Sequence, residues 1–495
     1  MKQLTGMDTM FLNMEGPNTP MLLSTFDIYN VATVPNGHAG YDEVLDVFKK
    51  QSKNLPMLFK KLKKVPLRLD NPYWVDATDF NVEDHFFRIT LPSPGTWHQL
   101  MDTVGRLMGR PMDMTAPLWE VYVIDGLNSI PDLASGSFAV LNRMHHAFAD
   151  GATTVAIRNY THTLAPSDSL DEGEGTLEDE ASSPSLVKML ARSCGNATKQ
   201  SIGVGRELID GLSTFAKLAA LNIKQGDKAD KASQNPPMSI LNQSFGRKRL
   251  ADMRKFDFTA MRAMRALVPG STINDLGLAI VSGGLRRYLK SIGALPEDTL
   301  TSTVPINLRA HGASGGGNVV SSMILPLYTN IEDPVERLER IHRASASLKE
   351  PLTMDANRRM MVMMMNLPAP VIGLPTRAMF SLMEKTGKAP SSTAISNVPA
   401  FREPRYLAGA KMTFIGGFGM LMPAAGTTHG ITLYNDEFHI SLATCPEVMT
   451  ETDSYMGCIE ESYEEYRTLA LKKAAKAPPK VSRKLAKKPV KPRKK

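Results

Sequence analysis

The sequence predicts an α/β protein built from two units, and three observations support this fold class. Segments with the periodicity of strands and segments with that of helices are interspersed along residues 1–165 and again along residues 238–471. The chain has 495 residues, with 42% hydrophobic and 22% charged, as expected of a globular protein with a large core. Residues 166–237, between the two units, differ in composition from both.

The first unit, residues 1–165, is predicted from apolar runs for strands and from helical periodicity for helices. Strands are expected at Thr25–Tyr29, Phe86–Ile89, Leu118–Ile124 and Ser137–Arg143, with a hairpin of Leu67–Leu69 and Tyr73–Val75. Helices are expected at Tyr41–Lys50, Trp97–Met108 and Ala152–Leu164. Trp119 is expected in the core, and Glu120 in an internal ion pair.

Residues 166–237 are predicted to be a linker. Ser167–Glu180 carry seven acidic residues and no basic one, which indicates a solvated loop. Ser185–Ile223 have helical periodicity with basic residues between the apolar ones. Two interpretations of this stretch stay open: a crossover helix packed across both units, which we favour, or an amphipathic helix on a membrane surface.

The second unit, residues 238–471, is predicted to be mixed in the same way. Strands are expected at Leu300–Leu308, Val319–Leu327, Met412–Ile415, Ile431–Tyr434 and Phe438–Leu442, with a hairpin turn at Asn435–Glu437. Helices are expected at Thr272–Leu289, Asp333–Leu348 and Asp453–Leu471. The basic run Phe245–Arg249 is interpreted either as a contact for phosphate groups or as a solvated loop.

Residues 472–495 are predicted to be a basic disordered tail. They hold twelve lysines or arginines and no acid, so the net charge of +8 arises from the tail and the remainder carries −4. We expect the tail to bind anionic lipid. Nonspecific nucleic-acid binding and a purely solubilising role are the alternatives, and nucleic acid is not an expected partner of the protein.

Cysteine use and hydropathy predict the compartment. The three cysteines show no paired framework, which favours the reducing cytoplasm. No secretory signal is visible after Lys2, and no run approaches the roughly 20 apolar residues that a membrane helix needs. The protein is therefore expected to touch a membrane at most peripherally.

The motif His145-His146-x-x-x-Asp150-Gly151 lies where a buried strand is predicted to end and a helix to begin. A histidine titrates near neutrality and can take a proton from an alcohol. A core histidine beside a helix-capping Asp150 is the alternative. A metal site using His146 and Asp150 lacks further ligands in the sequence, so no metal is expected.

The motif resembles that of acyl-CoA-dependent acyltransferases, and the chain as a whole resembles the bacterial wax ester synthase/diacylglycerol acyltransferases. The segments that carry the resemblance are Leu4–Leu12, Asn18–Met21, Pro117–Glu120, Thr272–Asp275, Val304–Arg309, Gly317–Asn318 and Ser396–Pro399. Ala400 stands where the family pattern has glycine. Several matches in the same order are more specific than any single one.

The resemblance implies two chloramphenicol-acetyltransferase-like α/β sandwich halves with the active site in a channel between them. It implies O-acyl transfer from acyl-CoA to diacylglycerol or to a long-chain alcohol, at a membrane or lipid-droplet surface, with acyl-CoA as substrate and no cofactor. It implies that His146 is the general base and that His145 supports the loop. Asp150 is then structural and pairs with Arg309, and Asn274 is the oxyanion donor; a helix-capping role for Asn274 is the alternative.

The methionine-rich stretch Met360–Met365, flanked by Arg358, Arg359 and Arg377, is interpreted either as plain core or as the lining of an apolar channel close to a membrane interface.

Three other functions stay open. Gly312–Gly316 match the nucleophile elbow of a serine hydrolase with Ser314, although a strand is predicted after it where a helix is required. A condensation-type acyltransferase that takes acyl groups from a carrier protein shares the histidine motif. A lipid-coating protein without catalysis is the third.

Overall fold

The computed structural model describes residues 2–34, 37–149, 151–168, 237–307, 320–350, 369–399 and 401–476, and positions 170, 185, 189, 191–193, 354, 355, 358 and 359. The predictions for Asp150, Arg309, Ser314 and Met360–Met365 lie outside these residues, as do those for most of the linker and for the tail beyond Lys476.

The helices and strands are as follows. The helices are α1 (Gly6–Met14), α2 (Tyr41–Gln51), α3 (Trp97–Met108), α4 (Gly151–Thr161), α5 (Phe258–Met264), α6 (Ile273–Ser291), α7 (Pro334–Leu348), α8 (Ala369–Thr386) and α9 (Asp453–Lys476). The strands are β1 (Lys2–Gln3), β2 (Leu22–Asn30), β3 (Lys60–Lys63), β4 (Tyr73–Asp76), β5 (Phe86–Thr90), β6 (Trp119–Asp125), β7 (Phe138–His145), β8 (Leu250–Asp257), β9 (Thr301–Asn307), β10 (Val320–Pro326), β11 (Thr393–Pro399), β12 (Tyr406–Leu407), β13 (Ala410–Phe418), β14 (Thr427–Tyr434) and β15 (Glu437–Thr444).

The first large sheet has the strand order β12-β13-β2-β7-β6-β5 over the described residues. β7 lies in its middle, antiparallel to β2 and β6, and every one of its residues is buried. This burial on both faces explains the nearly continuous apolar run that predicted the strand. β12 and β13 come from residues 406–418, so the chain returns late to complete the sheet that carries the histidines.

The second large sheet has the order β10-β9-β11-β14-β15-β8, again over the described part of the chain. The hairpin of β14 and β15 turns at Asn435 and Asp436, whose φ angles of 45° and 59° are those of a left-handed two-residue turn. A small third sheet has the order β1-β4-β3.

The two large sheets approach each other where β13 passes β14. A Cβ on Gly430 would lie 2.2 Å from the carbonyl oxygen of Gly417, so only glycine permits this backbone contact. α3 also joins the halves, because Nε1 of Trp97 donates to Oδ1 of Asp252 on β8 at 2.9 Å. One apolar cluster includes residues of β2, α3, β8, α6 and α9, and therefore spans both halves.

These features confirm the predicted mixed α/β fold with two sheet-rich halves, but some local predictions are wrong. The hairpin uses β3 and β4, and Leu67 instead lies in a 3-10 turn with a φ angle of 53° and an exposed side chain. The final helix, α9, continues to Lys476, into the segment predicted as tail. Arg249 is buried and donates to the backbone carbonyls of Asn18 and Gly246, so it serves as a structural link and not as an exposed basic contact.

Among the helices that the structure describes, none has the length and apolar character required to cross a lipid bilayer.

Candidate active site

The histidine loop begins at the last residue of β7. The backbone N–H of His145 donates to the carbonyl of Leu118 at 3.0 Å, and the N–H of His146 donates to the carbonyl of Met21 at 2.8 Å. The N–H of Phe148 then turns back to the carbonyl of His145 at 2.8 Å. The loop is therefore held between the chain segments that lead into β6 and β2, which restricts where both imidazoles can lie.

The His145 side chain is fully buried and serves the loop itself. Its Nδ1 accepts the backbone N–H of Ala147 at 3.0 Å, which places the ring proton on Nε2. That nitrogen lies 3.4 Å from Oε2 of Glu15, without the geometry of a hydrogen bond. The same carboxylate oxygen accepts the N–H of Met21 at 2.6 Å. Both ring nitrogens of His145 thus face groups within the fold, as a supporting residue requires.

The His146 side chain is only half-buried, in contrast to its neighbour. Its ring stacks on Phe11 of α1, with the centroids 4.0 Å apart and the planes inclined by 19°. An aromatic neighbour sets the plane of the imidazole through its face, and Nδ1 of the ring lies buried within the fold. Of the two histidines, His146 is the one whose side chain is partly exposed.

α4, which follows the loop, is fixed to the first sheet by a buried ion pair. Nη2 of Arg158 lies 2.7 Å from Oδ1 of Asp27 on β2, and Nε of Arg158 donates to Oδ2 at 3.1 Å. Burial raises the pKa of Asp27, opposed by Arg158. Nearby His162 lies 2.7 Å from the hydroxyl of Tyr29, and burial lowers its pKa to about 3, so it is neutral at physiological pH.

Asn274 lies in the first turn of α6, in the second half. Its Oδ1 accepts a hydrogen bond from Nδ2 of Asn397 on β11 at 3.1 Å. The helix cap is formed instead by Thr272 and Asp275, which accept each other's backbone N–H groups. The structure therefore does not give Asn274 the capping role, and its amide NH₂ group is left to donate to another acceptor.

Asp275 stabilises the same helix end. Its Oδ2 lies 2.9 Å from Nδ1 of His342 on α7. Burial alone would raise the pKa of Asp275, but hydrogen bonds from the Thr272 backbone, His342 and Ser345 outweigh it and hold the pKa below its usual value. Asp275 is thus a structural carboxylate beside Asn274.

The Pro-Leu-Trp-Glu segment is structural, as the sequence predicts. Trp119 is buried, and its Nε1 donates to the carbonyl of Leu58 at 2.8 Å. Glu120 accepts from the buried Arg143 and from the hydroxyl of Tyr122. A cavity of about 570 Å³ lies beside this segment, lined among others by Asp79, Asp84, Asp113 and Glu120. Lys61 and His85 also line the cavity, and Asp79 and Glu120 are paired with Lys61 and Arg143.

The structure adds residues that the motif analysis missed. Glu15 and Phe11 contact the two histidines, Asn397 contacts Asn274, and the Asp27–Arg158 pair anchors α4. Phe11 and Asn397 lie within segments that carry the family resemblance, which was the only available indication. Nothing in the spacing of Glu15 connects it to a residue 130 positions later.

Two sequence profiles of one family match the chain. The profile of the wax ester synthase/diacylglycerol acyltransferase catalytic domain matches residues 4–277, and that of the WS/DGAT C-terminal domain matches residues 316–467. The chain belongs to the wax ester synthase/diacylglycerol acyltransferase family. It is therefore an acyltransferase of a family that uses acyl-CoA and an acyl acceptor such as diacylglycerol. The first match contains the histidine loop and Asn274.

Mycobacterial proteins resemble the chain over nearly its whole length. A provisionally named diacylglycerol O-acyltransferase of Mycobacterium tuberculosis is 28% identical over 475 residues, covering 93% of this chain and 98% of the relative. One of Mycobacterium bovis is 28% identical over 476 residues, covering 95% and 100%.

Solved structures share the fold at lower identity. The wax ester synthase/diacylglycerol acyltransferase from Marinobacter aquaeolei VT8 has a TM-score of 0.63 at 21% identity, covering 95% of this chain and all of that one. The trichothecene 15-O-acetyltransferase of Fusarium sporotrichioides has a TM-score of 0.56 at 10% identity, covering 94% and 95%. The starter condensation domain of rhizomide synthetase has a TM-score of 0.53 at 10% identity, covering 95% and 94%. The predicted fold class is thereby confirmed.

Proposed function

We propose that this family member transfers a fatty acyl group from acyl-CoA to the hydroxyl of diacylglycerol, giving triacylglycerol, or of a long-chain alcohol, giving a wax ester. The observation that carries the proposal is the different placement of the two motif histidines. His145 is buried and faces Ala147 and Glu15, whereas His146 is half-buried and stacks on the ring of Phe11. A loop that supports one histidine and presents the next suits general-base catalysis.

In the proposed reaction, His146 takes the proton of the acceptor hydroxyl as its oxygen attacks the thioester carbon. The tetrahedral intermediate collapses, the carbon–sulfur bond breaks, and the proton passes from His146 to the departing thiolate. A thioester is already activated, so a covalent acyl-enzyme is not required. The reaction then needs acyl-CoA as substrate and no cofactor.

Asn274 is proposed as the donor to the oxyanion of this intermediate. The hydrogen bond from Asn397 to its Oδ1 supports the role, because it orients the amide with the NH₂ group as donor. Asp150 and Arg309 are proposed to form a structural ion pair that holds the far end of the histidine loop. This part of the proposal rests on the family resemblance alone.

We also propose that the enzyme works in the cytoplasm at the inner membrane or at lipid inclusions, where diacylglycerol and long-chain alcohols are dissolved. The basic residues 472–495 would contribute by attraction to anionic headgroups, at about 1 kcal/mol for each residue near the surface.

The serine-hydrolase alternative has weak support. The next described element after Gly312–Gly316 is strand β10, antiparallel to β9, whereas a nucleophile elbow leads from a strand into a helix. For a condensation-type enzyme the acyl donor would be a carrier protein, and the family assignment favours free acyl-CoA instead.

The test is to incubate the purified full chain with palmitoyl-CoA and either hexadecanol or dioleoylglycerol. The proposal expects acceptor-dependent thiol release together with a wax ester or triacylglycerol. Thiol release that yields only free fatty acid, with fluorophosphonate labelling of Ser314, would establish the hydrolase. Ester formation from an acyl carrier protein but not from acyl-CoA would establish the condensation-type enzyme.

A further inference from the structure

Helix α8 carries large apolar side chains on its outer side. Leu374, Met379 and Leu382 are 71%, 53% and 61% exposed. Leu374, Ala378 and Leu382 follow one another at intervals of four, so they lie along one line of the helix, and Met379 flanks it. Isolated exposed apolar residues are ordinary, but a continuous row on one helix indicates a contact surface.

The opposite side of α8 is attached to the candidate active site. Phe380 packs with Met14 and Met21, and Phe11 packs against the same cluster. Phe11 stacks on His146, and the carbonyl of Met21 binds the backbone N–H of His146. The inner side of α8 is thus connected to the proposed base through the apolar cluster of Phe380, Met14, Met21 and Phe11.

The apolar face continues beyond α8 and is bordered by basic residues. Met238 is 59% exposed, and its methyl group is next to Gly387, directly after the helix. Arg377, Lys385 and Lys388 are exposed around the row, against one acid, Glu384. Apolar side chains surrounded by positive charge suit a surface with acyl chains below anionic headgroups.

We propose that the face formed by Leu374, Ala378, Met379, Leu382 and Met238, called here the α8 face, docks the protein on an anionic lipid surface. This inference rests on the proposed function, which requires acceptors that are dissolved in lipid. It assigns a particular surface to the contact and explains why α8, whose inner side packs on Met14 and Met21, is apolar on its outer side as well. Docking there places the lipid surface on the outer side of the helix whose inner side packs towards His146.

The test compares two triple variants of the full chain in vesicle co-sedimentation. One carries Leu374→Ser, Met379→Ser and Leu382→Ser. The matched control carries Leu67→Ser, Ile292→Ser and Leu471→Ser, which also alter exposed apolar residues, on other parts of the fold. With vesicles of phosphatidylcholine and phosphatidylglycerol, we expect the α8 variant to lose binding at least about tenfold and the control to match the unaltered chain.

Lys385→Gln with Lys388→Gln should weaken binding to the anionic vesicles about 10-fold and leave binding to pure phosphatidylcholine unchanged. Circular dichroism melting verifies that each variant is folded. If the α8 triple variant is unfolded, the single variant Leu374→Ser replaces it, with an expected loss of about threefold against unchanged binding for Leu471→Ser. Equal binding by the α8 variant and the control would overturn the proposal.

A failure of lipid docking can be distinguished from a failure of the proposed acyl transfer. Turnover of palmitoyl-CoA with a water-soluble short-chain alcohol, measured without vesicles, should be unaffected by the α8 substitutions. Vesicle binding without any turnover would leave the docking face intact and remove the function. Turnover without vesicle binding would support the proposed function and overturn the docking face. A dimer in light scattering that the α8 substitutions convert to a monomer would identify the face as a self-contact and overturn lipid docking.

Discussion

Oε2 of Glu15 lies 3.4 Å from Nε2 of the buried His145. The same oxygen accepts the N–H of Met21, and the carbonyl of Met21 accepts the N–H of His146. One carboxylate from the N-terminal segment therefore acts on both ends of the dihistidine, through the ring of the first histidine and through the backbone of the second. This makes Glu15 a positioning residue for the proposed base.

Replacing Glu15 by Gln should lower kcat without changing the fold. The amide is nearly isosteric with the carboxylate, but it removes the negative charge that faces the Nε2 proton of His145. Because a small displacement of a catalytic group is costly, we expect kcat to fall about 10- to 100-fold, with KM for acyl-CoA changed less than threefold. Steady-state thiol release measures both constants. Glu451→Gln, at an exposed position, is the control, and an unchanged kcat for Glu15→Gln would remove the positioning role.

Alanine substitutions of Asn274 and Asn397 should lower kcat to different extents. If the Asn274 amide binds the oxyanion, Asn274→Ala should lower kcat about 10²- to 10³-fold. Asn397→Ala removes only the group that orients this amide, so a loss of about tenfold is expected. Thr272 and Asp275 form the helix cap, so neither change should lower the melting temperature appreciably. Full activity of Asn274→Ala would contradict the assignment.

The buried ion pair of Arg158 and Asp27 should matter for stability. Arg158→Met leaves the Asp27 carboxylate buried without its charged partner, which should lower the free energy of unfolding by about 3–5 kcal/mol. Burial already raises the pKa of Asp27, so a protonated Asp27 should restore part of this stability as the pH falls. Urea unfolding at several pH values measures both effects. The double variant Asp27→Leu with Arg158→Met should recover most of the loss, and its failure to do so would argue against charge burial as the cause.

Asp275 should give the stability of the protein a pH dependence opposite in sign to that of the Arg158→Met variant. Its pKa is below its usual 3.8 in the folded protein, because hydrogen bonds from Thr272, His342 and Ser345 outweigh burial. Ionised Asp275 therefore contributes stability that is fully present above pH 3.8 and is lost as the pH falls through its folded pKa. Asp275→Asn should be less stable by about 1–2 kcal/mol at pH 7, and the difference should shrink in acid. A difference independent of pH would exclude the carboxylate charge as its origin.

The sequence predicts the large elements well where one physical pattern dominates. The buried run of β7 and the amphipathic, capped α3 and α6 all lie close to their expected bounds. The β3 strand was missed because Lys60–Lys63 show charge and little alternation, while the apolar Leu67 and Leu69 suggested a strand that the structure does not contain.

For the candidate site, the histidine motif indicated the loop, since its strand-to-helix context is local. The partners were not predictable in the same way. Glu15, Asn397 and Asp27 reach the site through tertiary contacts across long sequence separations, and no local periodicity encodes such contacts. The return of β13 into the first sheet is a long-range pairing of the same kind.

The most direct measurement is thiol release from palmitoyl-CoA with dioleoylglycerol or hexadecanol by His146→Ala, compared with the unaltered chain at equal concentration and with equal melting temperature. A general base accelerates proton transfer about 10²- to 10⁴-fold. The account predicts a loss of kcat in that range for His146→Ala, with the ester product falling in parallel. Turnover within a few-fold of the unaltered chain would contradict it.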